Sequence, residues 1–326
     1  MYSQTKILLV ACHWLGDSFW AMQVIPHLKK KYPKAELWVL CKPHSKDLLH
    51  GIIDKSHIIA TTSILSDRKR EKFSFKNYLK TVFAVRREKF DIALDLTGNR
   101  YSSIFLFLSG VKKRVGLKEG FFSFAYHCRG DKFDYSRHLI NRPFEVVKLL
   151  CDDIKFDKNN ILLPHSPIVK AELSKLLGFD VINEHIGLLI PGAGWDSKKW
   201  NDNNFIKIGQ LLVNHGYKVL IIGSKKEIEL CKKISLQISD SITFNYELKY
   251  FISLLEHVNL SVSNDNGAGH LIAGYGKNLI SIFCGETNPK LCGPIGSSVS
   301  IIEKDNCNAE TVIDLIMKKY IYTHTL

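Results

Sequence analysis

The stretch Asn259–Thr287, NLSVSNDNGAGHLIAGYGKNLISIFCGET, decides the fold. An apolar run, Val258–Val262, leads into Asn264-Asp265-Asn266-Gly267. A small-residue segment of helical character follows, from Ala268 to about Tyr275, and then a second apolar run, Leu279–Phe283. Strand, polar turn, helix and strand in that order are half of a doubly wound α/β unit. Ligands of such sheets bind beyond the carboxyl ends of the strands, where helix N-termini point. Asp265 falls at that end. Gly267 lets the backbone come close, and the N–H groups of the following turn suit a diphosphate. The plain structural alternative is an Asx turn with His270 satisfied in the core.

The alternation repeats in both directions. His185–Ile190 and Tyr217–Ile222 read as strands, Asn203–His215 and Lys225–Leu236 as helices, and Pro191–Trp200 as a long polar turn. Earlier in the chain, Lys6–Ala11, Glu36–Leu40, His57–Ala60, Asp91–Leu96 and Lys113–Leu117 read as strands. Helices are expected from Phe19 (kinked or restarted by Pro26) and over Phe75–Lys89, Ser102–Leu108 and Arg137–Cys151. A seam falls at Leu162–Pro167, where two prolines meet a change in composition. Val169–Leu177 reads as the helix beyond it. The expected organisation is therefore two α/β domains, 1–165 and 166–326, facing across a cleft. Each has a mostly parallel sheet covered by helices on both faces. The closing amphipathic helix, about 308–320, is a candidate to pack back on the first domain.

At 326 residues and 45% hydrophobic composition the chain can bury two full cores. Met1–Lys6 runs straight into a strand-like segment, so no signal peptide is expected, and no apolar run is long enough to cross a bilayer. Eight cysteines without a Cys-x-x-Cys pair point to reduced thiols in the cytoplasm and away from zinc. The formal charge is +13, and it is segregated. Residues 1–164 hold 29 Lys+Arg against 16 Asp+Glu, whereas residues 165–326 hold 16 of each. An anionic partner for the first half follows, against the plainer reading of a lysine-rich surface kept for solubility. Helix-turn-helix and RNA-binding signatures are absent, which disfavours nucleic acid.

Three loops at carboxyl ends of strands carry candidate chemistry. Gly16-Asp17-Ser18 follows the first strand, and Asp17 is either a first-turn acid or a general base. Pro191-Gly192-Ala193-Gly194-Trp195-Asp196-Ser197-Lys198-Lys199-Trp200 lacks the Walker spacing and the third glycine of a dinucleotide fingerprint. Its glycine turn and paired lysines nevertheless suit a diphosphate clamp, where the alternative is an exposed connection. Asp265–His270 is the third. An acid from one half, with cations, an acid and a helix N-terminus from the other, fits group transfer with a nucleotide-diphosphate leaving group. A Ser/His/Asp hydrolase fits poorly, since no Gly-x-Ser-x-Gly elbow exists.

Leu15-Gly16-Asp17, the segment ending Lys31-Tyr32-Pro33, PGAGWDSKKW, SNDNGAGHLIAGYGK and Ile282–Pro289 together resemble glycosyltransferase family 9, the bacterial lipopolysaccharide heptosyltransferases. The resemblance covers nearly the whole chain in the right order. It implies the GT-B fold of two Rossmann-like domains, the first holding the acceptor and the second the donor. It also implies metal-independent, inverting transfer of heptose from ADP-heptose to the inner core, with no cofactor beyond the donor substrate. It makes Asp17 the general base and Lys198 the phosphate-binding lysine, on the loop of Gly192 and Gly194. Asp265 would hold sugar hydroxyls, Gly267, Ala268 and Gly269 would give N–H groups to the diphosphate, and Glu227 would hold the nucleoside. His270 would be structural or substrate-positioning. Asn266, expected among the donor-binding residues, stands where the family usually has Ser or Thr, and Trp195 is bulky beside the glycine turn.

The expected protein is thus a cytoplasmic transferase, peripheral on the inner face of the membrane, acting on an anionic lipid-linked saccharide. Lys112, Lys113, Arg114 and Lys118, followed by Phe121, Phe122, Phe124 and Tyr126, are expected to face that acceptor and the membrane. The alternatives are a relative that uses another nucleotide sugar or a protein acceptor, a GT-B-shaped epimerase, or a non-catalytic nucleotide-sugar-binding module.

Overall fold

Each half of the chain builds a six-stranded parallel sheet. The computed structural model describes residues 4–64, 72–119 and 121–322. It divides the chain into residues 1–165 and 166–326. The first unit contains β1 (Lys6–Ala11), β2 (Glu36–Cys41), β3 (Ile58–Ala60), β4 (Ile92–Asp95), β5 (Lys113–Leu117) and β6 (Cys128–Gly130). Its sheet order is β3-β2-β1-β4-β5-β6. The helices are α1 (Leu15–Ala21), α2 (Ile25–Lys31), α3 (Phe75–Arg87), α4 (Arg100–Leu108) and α5 (Asn141–Val147).

The second unit contains β7 (His185–Ile190), β8 (Tyr217–Ile222), β9 (Ile242–Phe244), β10 (Val258–Asn264), β11 (Asn278–Phe283) and β12 (Val299–Glu303), ordered β12-β11-β10-β7-β8-β9. Its helices are α6 (Lys170–Leu177), α7 (Asp202–Asn214), α8 (Ile228–Ser235), α9 (Leu248–Leu255), α10 (Gly267–Gly274), α11 (Pro289–Cys292) and α12 (Ala309–Ile316). The two units share the GT-B pattern of doubly wound sheets.

Parallel strands need helical crossovers, which cover both faces of the sheet, so the strands read as unbroken apolar runs. Successive side chains alternate between the two covers. Leu8 and Val10 pack with Val82 and Val85 of α3 and Phe105 of α4. In the second unit Leu189, Val219 and Val262 share a core with Phe205 of α7. Each side chain buried in this way stabilises the fold by roughly 1.5–3 kcal/mol relative to exposure. Strand order reverses between β1 and β4 and again between β7 and β10, and a crevice opens at each reversal.

Several expectations change. The closing helix belongs to the second unit: Val312, Ile316 and Tyr320 lie in its core beside Trp200 and Phe205. The helix expected over Arg137–Cys151 is only Asn141–Val147, with Pro143 in its first turn, where the missing N–H does no harm. The edge strands β6, β9 and β12 and helix α9 are additions to the sequence reading. All eight cysteines are free thiols. Among the described residues no helix is long and apolar enough to cross a membrane.

Candidate functional site

β7 and β10 are neighbours, with Ser263 beside Ile190, so the loops leaving them start from adjacent points. Asn264, fully buried, donates from Nδ2 to Pro191 O (2.7 Å) and accepts the Trp200 N–H at Oδ1 (3.0 Å). One side chain thereby pins both ends of the Pro191–Trp200 loop. Asn266 adds a second tether, donating from Nδ2 to Gly192 O (2.9 Å). Its Oδ1 accepts the N–H groups of Ala268 (3.0 Å) and Gly269 (3.2 Å), which caps α10.

Between these loops Lys198 Nζ lies 2.5 Å from Asp265 Oδ2 and 4.4 Å from the centroid of the Trp195 ring. Side-chain exposure of the ion pair is 15% for Lys198 and 8% for Asp265, so solvent screens it only weakly. Glycines bring the backbones in. A Cβ on Gly192 would collide with the Glu227 carboxylate, and one on Gly285 would lie 2.9 Å from Ser197 O. Glu227, at the start of α8, accepts the Ser224 N–H at Oε2 (2.8 Å). Gly194 is exposed in the loop, and His270 is half-buried at the end of the first turn of α10. Loops from β7, β8, β10 and β11 thus bring an ammonium, two carboxylates and a helix N-terminus to one switch point.

At the first unit's switch point Asp17 stands exposed in the first turn of α1. The strand ends behind it are tied together: Cys12 N–H donates to Thr97 Oγ1 (2.8 Å), which donates to Val10 O (3.1 Å). His13 Nε2 meets Leu96 O at 3.0 Å. A rim of His13 remains accessible, yet its ring is enclosed: burial, and then the Arg142 guanidinium, push its pKa down to about 3. The ring is therefore neutral and Nε2 carries the donated proton.

Arg142 of α5 donates to the carbonyls of Leu96 (3.0 Å), Thr97 (3.2 Å) and Gly98 (3.1 Å). It also forks onto both Glu119 oxygens (3.0 and 3.2 Å). Gly98 has φ +57°, and a Cβ there would strike the guanidinium, so glycine is required twice over. Asp95, fully buried, accepts Tyr126 O–H (2.5 Å) and Gly98 N–H (2.8 Å). Burial raises its pKa, and those hydrogen bonds pull the other way.

Asn266 and, in the basic stretch 112–118, Lys112, Arg114 and Lys118, all expected at binding sites, already hold protein partners. Asn266 acts as helix cap and loop tether, and it already occupies the Ala268 and Gly269 N–H groups, so an arriving anion meets Gly267 first. Lys112, Lys113, Arg114 and Lys118, expected to face the acceptor and the membrane, are spread along β5 and its two ends. Lys113 is in register with Ile92, itself beside Ile7 at the amino end of β1, whereas Asp17 and Lys118 follow carboxyl ends. Lys112 pairs with Asp91 (2.7 Å) and Lys118 with Asp131 (3.0 Å). Arg114 donates to Ala125 O (2.6 Å) and Val111 O (2.9 Å). The sequence reading missed the Arg142–Glu119 clamp and the Asn264 tether. Asn264 could have been found as the first Asn of the Asn-Asp-Asn turn, but nothing near Arg142 marks its partner. Among the described residues no group of three or more His, Cys, Asp or Glu side chains could hold a metal ion.

Comparison with known proteins agrees with this fold. The chain is 24% identical over 316 residues to lipooligosaccharide heptosyltransferase 2 of Haemophilus ducreyi, covering 91% of this chain and 88% of the relative. Its fold matches the structure of Escherichia coli ADP-heptose lps heptosyltransferase II with a TM-score of 0.79 and 17% identity, covering 99% and 100% of the two chains. E. coli heptosyltransferase WaaC with ADP matches at a TM-score of 0.73 and 18% identity, covering 96% and 99%. The model of glycosyltransferase family 9 (heptosyltransferase) matches residues 79–321, most of both units, and the chain is a glycosyltransferase belonging to that family.

Proposed function

We propose that this enzyme transfers heptose from ADP-heptose to the inner core of lipopolysaccharide, on a lipid A–Kdo or heptosyl acceptor, with inversion and without a metal ion. The observation that supports this best is the Lys198–Asp265 pair at the β7/β10 switch point, a cation held where a diphosphate would arrive. In this reading Lys198 exchanges Asp265 for the diphosphate, and Gly267 N–H joins it at the start of α10. Asp265, released, meets sugar hydroxyls, and Glu227 meets the nucleoside beside Gly192. The acceptor oxygen bonds to the anomeric carbon as the bond from that carbon to the ADP oxygen breaks. Asp17 takes the hydroxyl proton, and Lys198 stabilises the charge developing on ADP. The first unit holds the acceptor at an anionic membrane surface on the cytoplasmic side.

The test is incubation of the protein with ADP-heptose and a deacylated inner-core acceptor in excess EDTA. The expected result is one ADP per heptosylated product, with inverted anomeric configuration by NMR. No product, a preference for GDP- or UDP-sugars, retention of configuration, or activity restored only by magnesium contradicts the corresponding part of the reading.

A further inference from the structure

We infer that the outward face of α3, α4 and the 3-10 turn Phe121–Ala125 docks on an anionic lipid bilayer and lays the first unit against it. The inference rests on the lipid-linked acceptor of the proposed function. Val82 and Val85 of α3 and Phe105 and Leu106 of α4 pack together on one side of the first sheet. The opposite faces of these helices should then be polar. They are not. The solvent stripe of α4 is Arg100, Ile104, Phe107 and Leu108, and that of α3 is Lys76, Lys80, Phe83 and Arg87. Phe107 is 53% exposed, Phe124 56%, Phe83 63% and Phe121 85%. Phe107, Phe121 and Phe124 cluster, with ring centroids 6.4 Å apart for Phe107–Phe124 and 6.0 Å for Phe121–Phe124. The Arg114 guanidinium lies over Phe107 at 5.5 Å.

Charge selects the occupant. Residues 72–118 hold 11 Lys+Arg against 3 Asp+Glu, more than half of the chain's excess of +13. Protein interfaces deplete lysine at their centres, whereas a bilayer surface takes both components: rings enter the headgroup region and cations meet lipid phosphates. Both helices start at the carboxyl edge of the sheet, so a unit lying on this face keeps the Asp17 edge at the rim of the contact. Lys112, Lys113 and Arg114, at the far edge, then belong to docking rather than to the acceptor sugar.

The test uses the full chain in flotation with phosphatidylglycerol-containing and pure phosphatidylcholine vesicles. One variant carries Phe83→Ser, Phe107→Ser and Phe124→Ser; a second carries Lys76→Ser, Lys80→Ser and Arg87→Ser. The wild type is expected to bind the anionic vesicles selectively and to release them with salt. Each cation near such a surface is worth roughly a fivefold factor, so the charge variant should lose at least tenfold in binding. Both variants should keep wild-type turnover on the deacylated, water-soluble acceptor and lose it on an acceptor embedded in vesicles. No lipid binding by the wild type, or binding unchanged in both variants, overturns the inference. So does equal or tighter binding to a single-stranded oligonucleotide, or self-association that the aromatic variant abolishes. Vesicle binding that behaves as expected while ADP-heptose is never used supports docking and sinks the heptose reading alone.

Discussion

The two switch points share a sheet order but hold their polar groups differently. At β7/β10 the groups face one another from loop to loop: Asn264 and Asn266 tether the glycine turn, and Lys198 rests on Asp265. At β1/β4 the loop is gripped from α5 by Arg142, whose donors are taken up by three carbonyls and Glu119, and Asp17 stands out to solvent. On the proposed function, the first arrangement is a preformed anion site whose cation is parked on a counter-charge. The second is an acid carried on a frame that is fixed elsewhere. A cation that must leave one partner for another, and an acid that must meet an outside hydroxyl, call for these different supports.

If the division of labour holds, Asp17→Asn gives the largest effect. Turnover should fall by about 10²–10⁴-fold at an unchanged melting temperature, and a loss under tenfold would remove Asp17 from the role of base. Arg142→Gln tests the frame. Deleting one partner of a largely buried ion pair typically costs about 3–5 kcal/mol, read as a fall in denaturant midpoint, and a change near zero would show that the clamp is not needed. Lys198→Ala tests the anion site, with about 10²–10³-fold expected in turnover by comparison with removing one preorganised donor. Lys199, exposed and paired with Asp196, is the control, and an equal effect there would move the site by one residue.

The smallest effect concerns pH. The folded pKa of His13 is lowered to about 3 from an ordinary 6.5, so the unfolded chain binds the extra proton first. Stability contributed by this group is present above pH 6.5 and is lost as pH falls toward 3, at up to roughly 1.4 kcal/mol per pH unit. His13→Gln should flatten that acid limb, and an unchanged slope would show that the ring is not enclosed.

Much of this was legible in the chain. Strands β1, β5, β7 and β8 have the bounds expected, and β1, β7 and β8 announce themselves as apolar runs because they are buried on both faces. The short edge strands β6 and β9, three residues each, have too little periodicity to stand out from loops. Asp17, Lys198 and Asp265 stand out as candidates in the sequence because loops at carboxyl ends of strands are the places to look. The capping role of Asn266 was not legible, because a capping asparagine and a ligand-binding one look alike until its oxygen is seen to accept two backbone N–H groups. The Arg142 clamp joins residues 98, 119 and 142, and no local pattern carries a contact across such separations. The spread of the basic stretch was not legible for a simpler reason: a five-residue strand puts Lys113 and Lys118 at opposite edges of the sheet, roughly 16 Å apart.

The most direct test of this division is calorimetric titration of ADP and ADP-heptose into the wild type, Asp17→Asn and Lys198→Ala. The account predicts a Kd for both ligands that Asp17→Asn leaves within about twofold and Lys198→Ala weakens by roughly tenfold or more, since each tenfold corresponds to about 1.4 kcal/mol. Donor binding lost with Asp17→Asn and kept with Lys198→Ala would contradict it.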